Sequence, residues 1–154
     1  MDALTVTRDT PRTPDVAALL TRHFDLMRST SPEESCHVMA PDTLSDCGVT
    51  LFAAREGDKV LGVGALAVIG PDHGELKSMH TAAEARGKGV ARAILAALFD
   101  AARAQGLTRL SLETGSAQAF AAARALYEAH GFQDCPPFGD YVLDPLSVFM
   151  TRRL

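Results

Sequence analysis

The first third of the chain shows a strand pattern, then a helix pattern, then no regular pattern. Residues 3–8 alternate apolar and polar side chains, as a half-buried strand does. From Pro14 to residue 28 the apolar side chains recur every three or four positions, which predicts a helix with Thr13 as its N-cap. The periodicity is lost between residues 29 and 48, so we predict a long irregular or weakly helical connection there.

A hairpin is predicted after this connection. Residues 49–56 and 59–69 are both strand-like, and the turn between them contains Gly57, which suits a tight antiparallel hairpin. Gly62 and Gly64 weaken the strand propensity of the second segment. They indicate a bulge or the close approach of another backbone.

The middle of the chain predicts a strand, a helix and a second strand. A strand begins near Glu75 and leads into a helix that Gly106 ends. Residues 108–113 form the next short strand, and this β-α-β order favours a parallel neighbour within one sheet. The helix has one apolar face, made of Val90, Ile94, Leu95, Leu98, Phe99 and Ala102.

The last quarter predicts one more helix and two strands. Ser116 is predicted to cap the helix, and Gly131 ends it. Residues 132–135 and 147–152 have strand character. Together the elements predict an α/β fold with a mixed sheet. The apolar side of the helix consists of Phe120, Ala123, Leu126, Tyr127 and, at its end, His130.

The composition is that of one globular domain. With 154 residues and 47% hydrophobic side chains, the chain can bury its own core, so a single domain covering residues 1–154 is expected. The formal net charge is -4, and basic residues cluster only at positions 86–92 and at the Arg152-Arg153 pair. This distribution argues against nucleic acid or a membrane surface as a partner. No apolar run is long enough to span a membrane and no signal peptide is evident, so we expect a cytoplasmic protein.

The cysteines predict neither a disulfide framework nor a metal site. Cys36, Cys47 and Cys135 are an odd number and have no CxxC spacing. Cys36 and His37 would suit a metal site or a Cys–His nucleophile, but they are adjacent in sequence and no second ligand pair is evident.

The turn before the central helix has the features of an anion site. It contains Arg86, Gly87, Lys88 and Gly89, and the helix then opens with residues 90–92, Val-Ala-Arg. Glycines allow several backbone N–H groups to point the same way, and the helix N-terminus adds the positive end of its dipole. The three cations concentrate positive charge here, so a polyphosphate is the expected ligand.

The spacing excludes two common nucleotide motifs. A Walker loop requires Ser or Thr after its Gly-Lys pair, whereas Lys88 is followed by Gly89. A dinucleotide fingerprint requires a third glycine at position 92, which is occupied by Arg92. A simple glycine-containing connection between strand and helix is the alternative.

Two motifs resemble those of the GNAT (Gcn5-related N-acetyltransferase) family. Arg86, Gly89 and Ala91 fit Arg-x-x-Gly-x-Ala, which is similar to the pyrophosphate-binding signature of that family. Residues 123–132, ARALYEAHGF, resemble the family's Ala-x-x-Leu-Tyr-x-x-x-Gly-Phe. GELKSM, SLETGS and PFGDY are similar to a branch of bacterial GNAT proteins with no secure substrate.

The resemblance implies a specific fold and cosubstrate. The family fold is a mixed, twisted sheet of six or seven strands flanked by about four helices, and the sheet is splayed between strands 4 and 5. Acetyl-CoA lies in that opening, and no metal takes part. Relatives commonly pair through their last strands, so a homodimer is compatible with the resemblance.

The resemblance also implies residues that bind the coenzyme. Met79, His80 and Thr81 occupy the position where family members bind the pantetheine arm and polarise the thioester carbonyl with main-chain N–H groups. Many members carry Asn where this chain has Phe120, so backbone contacts or Ser116 would replace that hydrogen bond. The diphosphate would bind to the turn and helix start at residues 86–92.

Glu75 and Tyr127 are the candidate acid–base pair. Glu75 falls where histone-acetylating members place their catalytic glutamate, and an ideal strand would put Lys77, Met79 and Thr81 on the same face. A purely structural role for Glu75, holding Lys77 or a loop donor, is the alternative, and Glu113 is the reserve base. Tyr127 matches the Leu-Tyr motif and would protonate the thiolate, since a phenol with a pKa of about 10 is protonated at neutral pH. An aromatic core residue is the alternative for Tyr127.

The acceptor amine is expected at loops on the other end of the cleft. Glu33 and His37 are candidates in the long connection, with Phe138, Asp140 and Tyr141 in the loop before the last strand. A solvated loop and a rigid turn are the respective alternatives. The predicted function is acetyl transfer from acetyl-CoA to a primary amine of a small molecule or peptide in a ternary complex. Alternatives are O-acyl or longer-acyl transfer, and a non-catalytic CoA-binding sensor.

Overall fold

The computed structural model describes residues 4–30, 49–139 and 141–154. Within these residues, a seven-stranded sheet has the order β1-β2-β3-β4-β5-β7-β6. The order of elements along the chain is the predicted one. The strands are β1 (Leu4–Asp9), β2 (Val49–Glu56), β3 (Lys59–Val68), β4 (His73–Thr81), β5 (Arg109–Gly115), β6 (Gln133–Asp134) and β7 (Ser147–Arg153). The described helices are α1 (Pro14–Thr30), α2 (Val90–Ala104) and α3 (Ala121–Ala129).

The parallel pair β4–β5 lies in the middle of the sheet and is paired over a short distance. Residues 73–76 of β4 pair with residues 109–112 of β5, and every other strand pair described is antiparallel. Beyond this point β4 remains paired with β3, and β5 remains paired with β7. The two strands therefore separate, which confirms the predicted splay between strands 4 and 5.

An extra residue in β4 changes which side chains share a face. Gly62 pairs with Thr81, but Ala65 pairs with Lys77, so the register shifts by one between them. Ser78, within the shift, has a φ of 55°, in the left-handed region. Because paired residues share a face and neighbours on β3 alternate, Thr81 lies on the opposite face from Lys77. The prediction that Glu75, Lys77, Met79 and Thr81 share one face is therefore wrong, since it assumed an unbroken alternation.

Helix α2 packs tightly on one face of the sheet because β3 has glycines beneath it. A Cβ at Gly62 would lie 2.5 Å from Val90 Cγ1, and a Cβ at Gly64 would lie 2.6 Å from Ile94 Cγ2. The expected irregularity occurs as a register shift beside these glycines, but its extra residue is in β4. The atom nearest to a Cβ at either glycine belongs to a side chain and not to another backbone. The predicted apolar face of α2 is buried at all six positions: Val90, Ile94, Leu95, Leu98, Phe99 and Ala102.

The two residues predicted as N-caps have different outcomes, since Thr13 stands directly before α1 as predicted and Ser116 does not stand directly before α3. Thr13 accepts the first helical hydrogen bond of α1 through its carbonyl, from Ala17 N–H at 2.8 Å. Its hydroxyl donates to Asp9. Ser116 does not cap α3, because a 3₁₀ turn at Gln118–Phe120 intervenes and the Ser116 hydroxyl donates instead to the Pro145 carbonyl at 2.8 Å. The prediction of Ser116 as a helix cap is therefore wrong.

Helix α1 packs on the other face of the sheet through a histidine pair. His23 Nδ1 of α1 and His80 Nδ1 of β4 are 3.2 Å apart, and His23 is 8% exposed. Burial, together with the neighbouring His80, lowers the pKa of His23 to about 4. Burial, with Arg22 and Arg86 nearby, lowers the pKa of His80 to about 4 as well. The two rings are therefore neutral at neutral pH and share one hydrogen bond.

This pair makes the fold sensitive to mild acid. The pKa of His23 is about 4 in the fold against 6.5 in a model peptide, so the unfolded chain binds the proton first as pH falls. Stability should thus decline from about pH 6.5 towards pH 4. In His23→Gln, the loss of unfolding free energy between about pH 7 and pH 5 should be smaller than in the parent by about 2 kcal/mol. Urea unfolding at the two pH values measures this difference, and equal losses in both proteins would contradict it.

Candidate active site

A cleft of about 720 Å³ opens where β4 and β5 separate. Its walls come from the separated strand ends, the start of α2, the side of α3 and the end of α1. It brings together most of the predicted site. Glu75, Tyr127 and Tyr141 line it, as do residues 79–81, 86–87 and 89–92.

The glycine turn at the start of α2 has the backbone geometry of an anion site. Gly87 and Gly89 have φ values of 83° and 79°, and a Cβ at either would meet no protein atom within 4 Å. Glycine therefore allows the positive φ at both positions, and the space beside the turn is open. The first N–H groups of a helix have no acceptor within it, so those after Gly89 are available to a bound anion. Arg86 and Arg92 are exposed at the cleft, whereas Lys88 is exposed outside its lining.

Met79 and His80, which follow the register shift in β4, lie on opposite faces of the sheet. Met79 is on the face of α2, since a Cβ at Gly64 would lie 2.6 Å from Met79 Sδ. His80 is on the face of α1, beside His23. Ser78 lies between Lys77 and Met79, and its hydroxyl is buried with no hydrogen-bond partner among the described residues. Side chains from one short stretch of strand thus reach both faces of the sheet.

Glu75 is the centre of a polar cluster. It is 5% exposed, and Tyr141 Oη donates a 2.5 Å hydrogen bond to its Oε2. Lys77 Nζ lies 3.2 Å from the same oxygen and 3.5 Å from Tyr141 Oη. The contacts expected from a structural Glu75 are therefore present, and the predicted catalytic role of Glu75 remains a prediction.

Glu113 lies on the opposite side of the opening, in β5. It immediately follows the last residue of β5 that pairs with β4, and it lines the cleft. Burial, with the negative charge of Glu75 nearby, raises the pKa of Glu113 to about 7. A carboxyl group with this pKa can gain and lose a proton at neutral pH. The sequence alone ranked Glu113 second, because its burial depends on strands that are distant in sequence.

Tyr127 is buried in α3 and lines the cleft. Burial raises its pKa, so the hydroxyl is protonated at neutral pH. Its ring packs edge-on against Phe132, with ring centroids 5.8 Å apart. Tyr127 therefore combines the packing of a core aromatic residue with a position at the cleft wall.

Phe120 and Ser116 occupy different surroundings. Phe120 lines the cleft and covers Gly115, where an added Cβ would collide with the Phe120 ring. Ser116 is exposed and bonded to the loop before β7, and it lies outside the cleft lining. The predicted coenzyme contact of Ser116 therefore has no support from its position.

The predicted acceptor residues are only partly described. Tyr141 lines the cleft, while Phe138 lies behind it, with ring centroids 5.1 Å apart. Phe138 also packs edge-on against Phe149, with centroids 6.0 Å apart. The other predicted acceptor residues, Glu33, His37 and Asp140, lie outside the described residues.

The described residues contain neither a cluster of metal ligands nor a helix suited to span a membrane. No three His, Cys, Asp or Glu side chains in residues 4–30, 49–139 and 141–154 are grouped so as to hold a metal ion. Over the same ranges, none of the helices has the length and apolar character needed to cross a bilayer.

The sequence is similar to known bacterial acetyltransferases. YsnE of Bacillus subtilis (strain 168), named as an N-acetyltransferase, is 46% identical over 139 residues, which cover 90% of this chain and 92% of YsnE. An IAA acetyltransferase of Azospirillum brasilense is 37% identical over 155 residues, and the match covers 100% of both chains.

The structure is similar to solved acyltransferases. A protein assigned as an acyl-CoA N-acyltransferase from Klebsiella pneumoniae subsp. pneumoniae MGH 78578 has a TM-score of 0.80 and 32% identity, over 98% of this chain and 97% of that one. A GNAT acetyltransferase from Elizabethkingia anophelis, solved with acetyl-CoA bound, shares the fold with a TM-score of 0.73 and 18% identity over 100% of both chains. The model of the acetyltransferase (GNAT) family matches residues 15–132. With the split sheet and the glycine turn at its opening, these matches show that the chain belongs to the GNAT acetyltransferase family.

Proposed function

We propose that the protein transfers an acetyl group from acetyl-CoA directly to a primary amine within a ternary complex. The observation that carries this proposal is the single cleft that joins the glycine turn of α2 to the point where β4 and β5 separate. A long ligand with an anionic end and a reactive end fits such a cleft. Acetyl-CoA has this form, and family membership supports it.

The coenzyme would be held at its diphosphate by the start of α2. Free N–H groups after Gly89 and the guanidinium groups of Arg86 and Arg92 provide donors and positive charge. The pantetheine arm would extend between the separated ends of β4 and β5. Backbone groups there can bond to the arm and to the thioester carbonyl, as strand edges bond to a peptide.

The reaction needs a proton acceptor for the amine and a proton donor for the thiolate. We assign the first role to Glu113, because its pKa of about 7 suits a base at neutral pH and it lies at the opening. Glu75, the base expected from the sequence, is bonded to Lys77 and Tyr141, so we assign it no role towards a free acceptor. We assign the second role to Tyr127, which is buried and lines the cleft. The amine nitrogen attacks the carbonyl carbon, the C–S bond breaks with its electron pair on sulfur, and Tyr127 protonates the sulfur. The second proton that the nitrogen loses returns to the Tyr127 phenolate through solvent.

The acceptor would be a cationic amine with an apolar body. Glu75 and Glu113 bring two carboxyl groups to this end of the cleft, and Lys77 provides one opposing charge. An ammonium is therefore favoured over an anion. Tyr141 offers an aromatic surface there, and Leu26 and Leu146 add aliphatic surface at the lining.

Coenzyme binding should depend on the charge at the start of α2. Arg92→Gln should raise the Kd for acetyl-CoA about tenfold, because it removes a charge-assisted contact to the diphosphate. Arg103→Gln is the matched control, since Arg103 is exposed in the last turn of the same helix and should leave the Kd unchanged. Isothermal calorimetry measures both values. If the parent protein gives no heat with acetyl-CoA, the proposed function is wrong.

The base assignment predicts a specific pH profile. With one amine of known pKa as acceptor, kcat/KM should rise through about pH 7 as Glu113 ionises. Glu113→Gln should lose this limb and lower the plateau about 100-fold. Glu75→Gln is the comparison that shows which of the two carboxyl groups is the base. A limb near pH 7 that persists in Glu113→Gln and disappears in Glu75→Gln would reverse the assignment.

If Tyr127 is the acid, its hydroxyl should affect turnover but not the binding of acetyl-CoA. Tyr127→Phe keeps the ring that packs on Phe132 and removes only the hydroxyl. We expect kcat to fall about 100-fold while the Kd for acetyl-CoA stays the same. Steady-state kinetics and calorimetry on the same preparation test this, and an unchanged kcat would remove Tyr127 from the mechanism.

A screen of acceptors distinguishes the remaining functions. Release of CoA thiol is followed with acetyl-CoA and longer acyl-CoAs against amines, alcohols and IAA, for which a relative is named. Turnover with amines and acetyl-CoA supports the proposal, whereas turnover with alcohols or longer acyl groups supports another acyltransferase activity. Tight binding without turnover on any acceptor supports a CoA-binding sensor.

A further inference from the structure

Lys77 lies at the apex of the opening between β4 and β5. It is the first residue of β4 beyond the last pair with β5, which joins Leu76 to Leu112. Its side chain is 19% exposed and lines the cleft. The chain has two other lysines, Lys59 and Lys88, and both are exposed outside the cleft lining. One lysine of the three is therefore held inside the cleft.

The surroundings of Lys77 are those that an acceptor amine needs. Its Nζ lies 3.2 Å from Glu75 Oε2, and Tyr141 Oη lies 3.5 Å from Nζ. Glu75 is 5% exposed, so its carboxylate is directed to these two partners with little competition from water. An amine beside a buried carboxylate can pass its proton to it and become a nucleophile.

We propose that Lys77 is an acetylation site modified by the protein's own transferase activity. This inference rests on the proposed function, because acetyl-CoA must place its thioester at the opening. The ammonium of Lys77 gives a proton to Glu75, and Nζ attacks the thioester carbonyl carbon. A C–N bond forms, the C–S bond breaks with its electron pair on sulfur, and the thiolate takes a proton from Tyr127. The second proton that Nζ loses on becoming an amide nitrogen returns to the Tyr127 phenolate through solvent. The products are Nε-acetyl-Lys77 and CoA.

The modification would limit the enzyme's own activity. Acetylated Lys77 has no positive charge, so Glu75 loses its ion pair. The added acetyl group occupies space at the apex, where the acceptor amine would bind. A free acceptor competes with Lys77 for the same thioester, so the modification should accumulate only when acceptor is scarce.

The test uses the full chain and isotopically labelled acetyl-CoA without an acceptor. Tandem mass spectrometry should show label at Lys77 about 100-fold faster than at Lys59, because only Lys77 has a positioned base. Non-enzymatic acetylation would favour the exposed Lys59 and Lys88. In urea-unfolded protein the preference should vanish. Lys77→Arg should remove the labelled site, and Glu75→Gln should slow labelling about 100-fold. Lys59→Arg is the matched control and should leave Lys77 labelling unchanged.

Calorimetry with acetyl-CoA on the same preparation distinguishes a failure of this inference from a failure of the proposed function. If acetyl-CoA binds and an amine acceptor is turned over, but Lys77 is labelled no faster than Lys59, this inference is wrong and the proposed function stands. If acetyl-CoA does not bind, both are wrong. A saturating amine acceptor should suppress labelling of Lys77, because both would compete for the same thioester. If the acceptor leaves the labelling rate unchanged, that competition is contradicted.

Discussion

The short parallel pairing of β4 and β5 is the constraint on which the site depends. Four residues of each strand are paired, and beyond them each strand keeps a partner on its other side only. Backbone donors and acceptors at the facing edges must be satisfied by something other than a strand, since unpaired polar groups are costly when buried. A ligand that carries amides along its length can meet that need. The same opening therefore provides both the cleft and a row of hydrogen-bonding groups along it.

The register shift in β4 determines which chemistry faces the opening. Without the extra residue near Ser78, the side chain of His80 would lie on the face of α2 and not beside His23. With it, Glu75, Lys77 and His80 lie on the face of α1, while Met79 packs towards α2. One left-handed residue thus separates an acid–base surface from an apolar surface within a single strand.

Much of the fold could be predicted from the sequence because its signals are local. The apolar face of α2, the turn at Gly57 and the helix end at Gly131 depend on periodicity or on positive φ, which neighbouring residues specify. The glycine turn before α2 could be predicted for the same reason. Gly62 and Gly64 indicated an irregularity in β3, but the extra residue at Ser78 of β4 was not predicted, since an unbroken strand and a bulged one have the same composition. The cap at Ser116 failed because a distant loop competes for its hydroxyl. The pKa of Glu113 depends on burial by strands far apart in sequence.

The contact between Gly115 and Phe120 links two positions that are five residues apart. Because a methyl group at position 115 would occupy the place of the aromatic ring, any larger residue there must be accompanied by a smaller or displaced residue at position 120. In sequences that descend from this chain, substitutions at positions 115 and 120 should therefore occur together. Because Gly115 and Phe120 both line the cleft, the volume of the cleft would change with them.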